Sequence, residues 1–167
     1  MRIRDARRDD VGVIFGWIVE LAEYERAREM VRGTPELLEE ALFGAQPTAE
    51  AVIAEVSDDG AAWEPGGFAL FHLTFSTWEC LPGIWLEDLY VPPAQRRAGL
   101  GGALVAHLAR LTVDRGYTRL QWAALDWNTP ALDFYAKLGA ARLDEWQLHR
   151  LDGKALAEVA SRAGSDG

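Results

Sequence analysis

The segment Arg96–Gly102 joins a predicted strand to a predicted helix and is rich in glycine and arginine. Its glycines, at positions 99, 101 and 102, permit close backbone approaches that a side chain would block. The first turn of a helix carries amide N–H groups without intrahelical partners, and the helix dipole adds positive charge there. Arg96 and Arg97 add cations suited to a diphosphate. These residues predict an anion site, although an ordinary strand-to-helix turn with solvated arginines has the same composition.

Two common nucleotide-binding loops do not fit this segment. The chain has no G-x-x-x-x-G-K-[ST] pattern, so the turn is not a Walker loop. The turn also lacks the full G-x-G-x-x-G spacing. It opens the second half of the chain instead of a first β-α-β unit, which argues against a Rossmann domain.

The apolar periodicity around this turn predicts a mixed architecture. Strands are grouped early and alternate with helices late, so we expect one α/β (α+β) domain over residues 1–162 with a mostly antiparallel sheet and a frayed tail at Ala163–Gly167. The expected strands are Arg2–Ala6, Ala49–Val56, Gly66–Phe75, Ile84–Val91, Thr118–Ala123 and Ala141–Leu151. The first expected helix begins at Val11 and has Glu23–Glu29 as its polar C-terminal end. The other expected helices are a short one after Thr34-Pro35, Leu100–Leu111, Thr129–Leu138 and Asp152–Arg162.

The composition excludes several classes of protein. The 167 residues are 49% hydrophobic and 26% charged, as in a globular domain and unlike collagen, a coiled coil or a disordered chain. A net charge of −9 argues against nucleic-acid binding and permits a cationic small substrate. With Cys80 as the single cysteine, no internal disulfide forms, so we expect a cytoplasmic protein. No apolar run reaches the roughly 20 residues of a membrane helix, and the first residues show no secretory signal, so no membrane partner is expected.

Motifs on both sides of the turn give the chain a family resemblance. They are Glu20-Leu21-Ala22-Glu23-Tyr24-Glu25, Leu86-Glu87-Asp88-Leu89-Tyr90-Val91, Arg96-x-x-Gly99-x-Gly101, Asp126-Trp127-Asn128-Thr129-Pro130-Ala131 and Phe134-Tyr135-x-x-x-Gly139-Ala140. Together they resemble the GNAT superfamily of N-acetyltransferases, and within it the diamine (spermidine/spermine-type) branch. The likeness runs from about Ile3 to Leu151.

This resemblance implies that acetyl-CoA is the cosubstrate and indicates where it would lie. The strands Ile84–Val91 and Thr118–Ala123 would be parallel and splay apart, with acetyl-CoA in the gap and its diphosphate on residues 97–102. Arg97 departs from the branch, which often has another glycine there, but the main glycines remain. The residues assigned to the cosubstrate are Leu89, Tyr90, Val91, Arg96, Arg97, Ala98, Gly99, Leu100, Gly101, Gly102, Asn128, Ala131 and Tyr135.

The resemblance also assigns the catalytic and substrate residues. Glu87 matches the base that leads a proton away from the amine, and Tyr135 matches the residue that protonates or hydrogen-bonds the departing thiolate. Because side chains alternate along a strand, Glu87 and Asp88 should point to opposite faces, and the family match selects Glu87 for the cleft. Asp88 is then a second substrate-site candidate that would equally suit a loop-anchoring hydrogen bond. Tyr24 and Glu25 match residues that hold the far end of a polyamine, or they form an ordinary charged helix end.

Three classes of function remain open at this point. The first is acetylation of a small cationic amine, with a polyamine or diamine first and a lysine-like amino acid of the thialysine type close behind. The second is a CoA-binding module without catalysis, and the third is acetylation of a protein amine. The three histidines have no metal-ligand spacing, so no metal is expected. A homodimer is expected from the family resemblance alone.

Overall fold

The computed structural model describes residues 1–96 and 98–163. The chain divides into two compact units, Met1–Leu125 and Asp126–Gly167. Arg97, which was predicted to contact the diphosphate, and the end of the predicted frayed tail, residues 164–167, lie outside the described residues.

The first unit contains a five-stranded sheet in the order β1-β2-β3-β4-β5. The first three pairings are antiparallel, and β4 and β5 are parallel, which confirms the predicted mixed, mostly antiparallel sheet. The β2–β3 connection is a turn in which the Ser57 hydroxyl accepts from the Gly60 amide at 2.8 Å and Gly60 takes a positive φ. The strands are β1 Arg2–Asp5, β2 Glu50–Val56, β3 Glu64–Ser76, β4 Leu81–Tyr90 and β5 Leu120–Gln121.

Helices cover both faces of this sheet. Thr34 accepts from the Leu37 amide and Pro35 opens the second helix, as the sequence predicts. The helices of the first unit are α1 Val11–Tyr24, α2 Pro35–Phe43 and α3 Leu100–Asp114, with short 3-10 turns at Arg8–Asp10, Arg28–Met30 and Pro93–Gln95. The predicted continuation of α1 to Glu29 is wrong, because Arg26 takes a left-handed φ of 60° and ends the helical path.

The core lies in two layers, one on each face of the sheet. Alternate residues of β2 belong to different layers, as expected for a strand buried on both faces. The layer with α1 and α2 contains Ile14, Trp17, Leu42, Ala51, Ile53, Phe68, Leu70 and Tyr90. The layer with α3 contains Val52, Ala54, Ala69, Phe71, Ile84, Leu86, Leu100, Leu104 and Leu108.

The parallel pair β4–β5 is short, and this creates the splay that the resemblance implied. Only Ile84 and Trp85 of β4 pair with β5, opposite Leu120 and Gln121. Of the predicted strand Thr118–Ala123, only Leu120 and Gln121 pair with β4 and form a strand. Past Trp85, the edge of β4 away from β3 pairs with no strand in the described part of the chain.

The second unit contains two helices, α4 Thr129–Lys137 and α5 Gly153–Arg162, both within the predicted limits to one or two residues. The predicted strand Ala141–Leu151 is wrong, because residues 141–151 form no strand. All their side chains are exposed and no strand of the described chain pairs with them, so the apolar residues there do not form a buried face. No helix within residues 1–96 and 98–163 is long and apolar enough to span a membrane.

Candidate active site

A β-bulge interrupts β4 at Glu87. Leu86 pairs with Phe71 of β3 and Asp88 pairs with the adjacent Leu70, so Glu87 is an extra residue without a direct partner. A bulge of this kind places two residues opposite one and changes the direction of the following side chains. The alternation of β4 therefore shifts by one residue at this point.

As a result, Glu87 and Asp88 lie on the same face of the sheet. Glu87 contacts His72, with 3.7 Å between His72 Nε2 and Glu87 Oε2, while Asp88 pairs with Leu70. His72 and Leu70 are two residues apart on β3 and so share a face. The prediction that only one of the two carboxylates can face the cleft is wrong, because strict alternation fails at the bulge. Both face the α1 side of the sheet.

A third carboxylate, Glu25, belongs to the same group. Burial is the main reason that the pKa of Asp88 is raised to about 6, and the negative charges of Glu87 and Glu25 raise it further. Burial also raises the pKa of Glu25, which directly follows α1. We call Glu25, Glu87 and Asp88 the acidic cluster. Repulsion within it makes a cation on this face electrostatically favourable.

Replacing Asp88 with asparagine is expected to stabilise the protein in a pH-dependent way. The unfolded carboxyl ionises near pH 3.8 and the folded one near 6, so folding stability falls as the pH rises through that interval and stays low above it. Asp88→Asn should therefore raise the free energy of unfolding by up to about 3 kcal/mol at pH 7.5 and by little at pH 4. Urea unfolding at both pH values measures this. The exposed Asp58→Asn is the matched control, and equal gains at the two pH values would contradict the burial of a charged Asp88.

Arg96 links the end of β4 to the end of α1. Its guanidinium lies 5.6 Å from the Tyr24 ring centre and 6.0 Å from that of Tyr90, and its Nε donates to the Val91 carbonyl at 3.0 Å. The Tyr90 hydroxyl donates to Glu20 at 2.8 Å, and burial together with that carboxylate raises the pKa of Tyr90 to about 12. These contacts hold the beginning of the glycine-rich turn against the face that carries the acidic cluster.

The N-terminus of α3 presents free backbone donors. Gly99 precedes the helix with a φ of +80°, and no side chain of the described residues caps this end. The first intrahelical bond runs from the Ala103 amide to the Gly99 carbonyl, so the amides of Leu100, Gly101 and Gly102 precede the regular ladder. Leu100 is fully buried in the α3 core layer and fixes the helix start.

Two glycines at this helix start leave room around them. Beyond their chain neighbours and the backbone of the helix itself, a Cβ added at Gly99 or Gly102 would meet no atom of the described residues within 4 Å, and the first turn contains no acidic residue. The arrangement fits a diphosphate, which binds well to amides at a helix N-terminus. Ala98 is exposed beside it, while the side chains of Leu89 and Val91 pack against the α3 core layer.

The family of the chain follows from a match along most of its length. Residues 15–140 match the model of the Acetyltransferase (GNAT) family. The chain belongs to the GNAT acetyltransferase family. It is 37% identical to the bovine (Bos taurus) thialysine N-epsilon-acetyltransferase over 168 residues, which cover 96% of this chain and 97% of that relative. The GNAT chain is thus an N-acetyltransferase.

Two further comparisons, one with a curated relative and one with a solved structure, show what this GNAT enzyme is similar to. It is 28% identical to the human (Homo sapiens) spermidine/spermine N(1)-acetyltransferase-like protein 1, over 95% of this chain and 24% of that longer relative. It superimposes on an integron cassette protein from V. cholerae with a TM-score of 0.74 and 25% identity, covering 95% of this chain and 96% of the other. The fold seen here is therefore shared by solved proteins of similar length.

GNAT acetyltransferases use acetyl-CoA as their cosubstrate, which supplies an acetyl group activated as a thioester. The observed features fit it in two places. The amides at the start of α3 would hold the diphosphate, and the unpaired edge of β4 from Leu86 to Tyr90 can accept an extended ligand as an added strand. The bulge then places Glu87 and Asp88 next to the open edge.

The second unit of the GNAT enzyme carries the remaining predicted residues. Asn128 caps α4, its side-chain oxygen accepting from the Ala131 amide at 3.4 Å, so this oxygen is engaged by the helix. Tyr135 lies on α4 one turn after Ala131, half-buried, with its ring centre 5.1 Å from that of Phe134. Their roles toward the cosubstrate stay predictions.

Sequence reasoning missed two partners of Glu87. His72 and Trp85 pair across β3 and β4, and the Trp85 indole donates to Glu87 Oε2 at 2.8 Å. The alternating pattern of both strands was visible in the sequence, but the hairpin register that makes 72 and 85 neighbours was not. Within the described ranges, no group of three or more His, Cys, Asp or Glu is arranged to hold a metal ion.

Proposed function

We propose that this GNAT enzyme acetylates a primary amine of a small, cationic substrate bound by the acidic cluster. The observation that carries the proposal is the convergence of Glu25, Glu87 and Asp88 beside the open edge of β4. A substrate ammonium relieves the repulsion between these carboxylates, and the neighbouring edge is where the thioester would lie. The formal charge of −9 also favours the approach of a cation.

The amine must lose a proton before it can react. A primary amine has a pKa of about 10.4, so roughly one molecule in a thousand is neutral at pH 7.4. We propose that Glu87 accepts an N–H of the bound ammonium and leads its proton away. Tyr135 hydrogen-bonds the departing sulfur. Complete proton transfer from a phenol to a thiolate would cost about 2 kcal/mol on reference values, so a hydrogen bond is the role we assign.

The first substrate to test is a lysine-like amino acid of the thialysine type. Support comes from the bovine thialysine acetyltransferase, which is similar over nearly the full length of both chains. The motifs alone had favoured a polyamine or diamine, and this remains the second candidate. The acidic cluster supports it, because several carboxylates along one face suit a substrate with more than one positive charge.

A substrate panel tests this proposal. Release of free thiol from acetyl-CoA is followed with thialysine, lysine, putrescine, spermidine, spermine and a lysine peptide. We expect thialysine or a polyamine to give a kcat/KM at least about 100-fold above that of the peptide, a difference of about 3 kcal/mol. Binding of acetyl-CoA without thiol release for any amine would favour a CoA-binding module instead, and preference for the peptide would favour a protein acceptor.

The cellular setting is part of the same proposal. We propose a cytoplasmic homodimer, on the family resemblance and on the single cysteine. Size-exclusion chromatography with light scattering measures the oligomeric state directly.

A further inference from the structure

His72 on β3 faces the carboxylate to which the proposed function gives the first role in proton removal. Its Nε2 lies 3.7 Å from Glu87 Oε2, and the two side chains are each about half exposed, 41% and 55%. The pair is therefore reachable by a substrate from solvent.

The hydrogen bond on the other side of the ring defines the tautomer. His72 Nδ1 lies 3.0 Å from the Leu73 carbonyl oxygen, which can only accept, so Nδ1 carries the hydrogen. In the neutral ring Nε2 then has a lone pair and is itself an acceptor. Two acceptors, His72 Nε2 and Glu87 Oε2, consequently face each other.

Glu87 is held in this position by a separate contact. The Trp85 indole donates to the same oxygen, Glu87 Oε2, at 2.8 Å. Trp85 pairs directly with His72 across the two strands. The β3–β4 pairing therefore positions the side chains of His72, Trp85 and Glu87 together. Because both side chains are about half exposed, water satisfies the facing acceptors in the free protein, whereas a bound ammonium can donate to both and a proton on His72 would turn them into an ion pair.

We propose that His72 Nε2 takes up the proton that leaves the substrate ammonium beside Glu87. This rests on the proposed function of the acidic cluster. The charged group that contacts the ring is Glu87 on β4, which would form an ion pair with an imidazolium. Asp88 follows it on the same face, and Glu25 after α1 acts on Asp88. Glu20 on α1 is engaged with the Tyr90 hydroxyl.

With His72 as the acceptor, every proton that leaves the substrate nitrogen has a defined destination. One proton passes from the ammonium nitrogen by way of the Glu87 carboxylate to His72 Nε2. The nitrogen then bonds to the acetyl carbon as the carbon–sulfur bond breaks, and a second nitrogen proton goes to the sulfur. The products are the N-acetyl amide, which keeps one hydrogen on nitrogen, and free thiol. The imidazolium returns its proton to solvent.

The test compares His72→Gln and His72→Ala with the wild type on the best amine of the panel. Glutamine keeps a polar group of similar length but takes up no proton near neutral pH. We expect kcat to fall about 100-fold in both variants, with KM for acetyl-CoA within about twofold. The acid limb of the kcat–pH profile should shift in His72→Gln. Added imidazole should restore part of the turnover of His72→Ala, because the site is open to solvent.

His107→Gln is the matched control, since His107 lies on α3 at the other face of the sheet and should keep wild-type turnover. Wild-type kcat and an unchanged pH profile in His72→Gln, with activity still lost in Glu87→Gln, would overturn the role of His72 and leave the proposed function standing. Failure of imidazole to restore His72→Ala would also count against it. Failure of the wild type to acetylate any amine would overturn both.

Discussion

Glu87→Gln is expected to lower kcat by about 100- to 1,000-fold while the Kd for acetyl-CoA changes less than about twofold. The amide has nearly the shape of the carboxylate and can still accept the hydrogen bond that Trp85 donates at 2.8 Å. It cannot attract an ammonium by charge or lead a proton away. Loss of one negative charge beside the partly buried Asp88 also relieves repulsion, so the variant should unfold at no lower temperature than the wild type.

Steady-state kinetics and calorimetric titration with acetyl-CoA measure the two quantities separately. Glu79→Gln serves as the control. Glu79 is exposed in the turn between β3 and β4, so this substitution removes one negative charge away from the site. We expect that control to keep wild-type kinetics. Equal losses of kcat and of acetyl-CoA affinity in Glu87→Gln would assign Glu87 a role in packing rather than in the reaction.

Gly102→Glu is expected to weaken acetyl-CoA binding by at least about 100-fold while stabilising the fold. Position 102 is the third residue of α3, where a glutamate side chain can reach back to the free amides before it. A carboxylate there interacts favourably with the positive end of the helix dipole, and this interaction stabilises the helix by about 0.3–1 kcal/mol. The same carboxylate occupies the amides that would hold the diphosphate and repels it.

Gly102→Ala adds a side chain without a charge, so it distinguishes the effect of the carboxylate in Gly102→Glu from the effect of the added bulk. A Cβ at this position would meet no atom of the described residues within 4 Å beyond its chain neighbours and the helix backbone, so alanine should be tolerated and should bind acetyl-CoA within a few fold of wild type. Titration calorimetry and thermal unfolding of both variants give the comparison. Wild-type affinity in Gly102→Glu would mean that the diphosphate binds elsewhere.

The parts of this molecule that were predictable from sequence are those fixed by local chemistry. The cap at Thr34-Pro35 and the glycine-rich start of α3 depend on residues close together in the chain, and the structure confirms both elements. The bulge at Glu87 depends on the register between β3 and β4, which local periodicity does not contain. For that reason the acidic residues were assigned to opposite faces although they share one.

Two further differences have the same origin. The segment Ala141–Leu151 has apolar residues spaced two or three positions apart, yet a strand also needs a neighbour, and none pairs with it in the described chain. The sequence predicts no role for His72, because the three histidines are scattered and have no metal-ligand spacing. The role proposed for His72 depends on its contacts with Trp85 and Glu87. These residues are 13 and 15 positions away in sequence, and the β3–β4 hairpin makes them neighbours of His72.

The central claim is that the amides at the start of α3 and the open edge of β4 hold acetyl-CoA with its thioester beside Glu87. A crystal structure with CoA and an unreactive amine analogue tests it most directly. We predict the diphosphate on the amides of Leu100–Gly102, the pantetheine chain along Leu86–Tyr90, and the amine between Glu87 and His72. CoA bound away from the start of α3, or an amine bound without contact to Glu87, would contradict the claim.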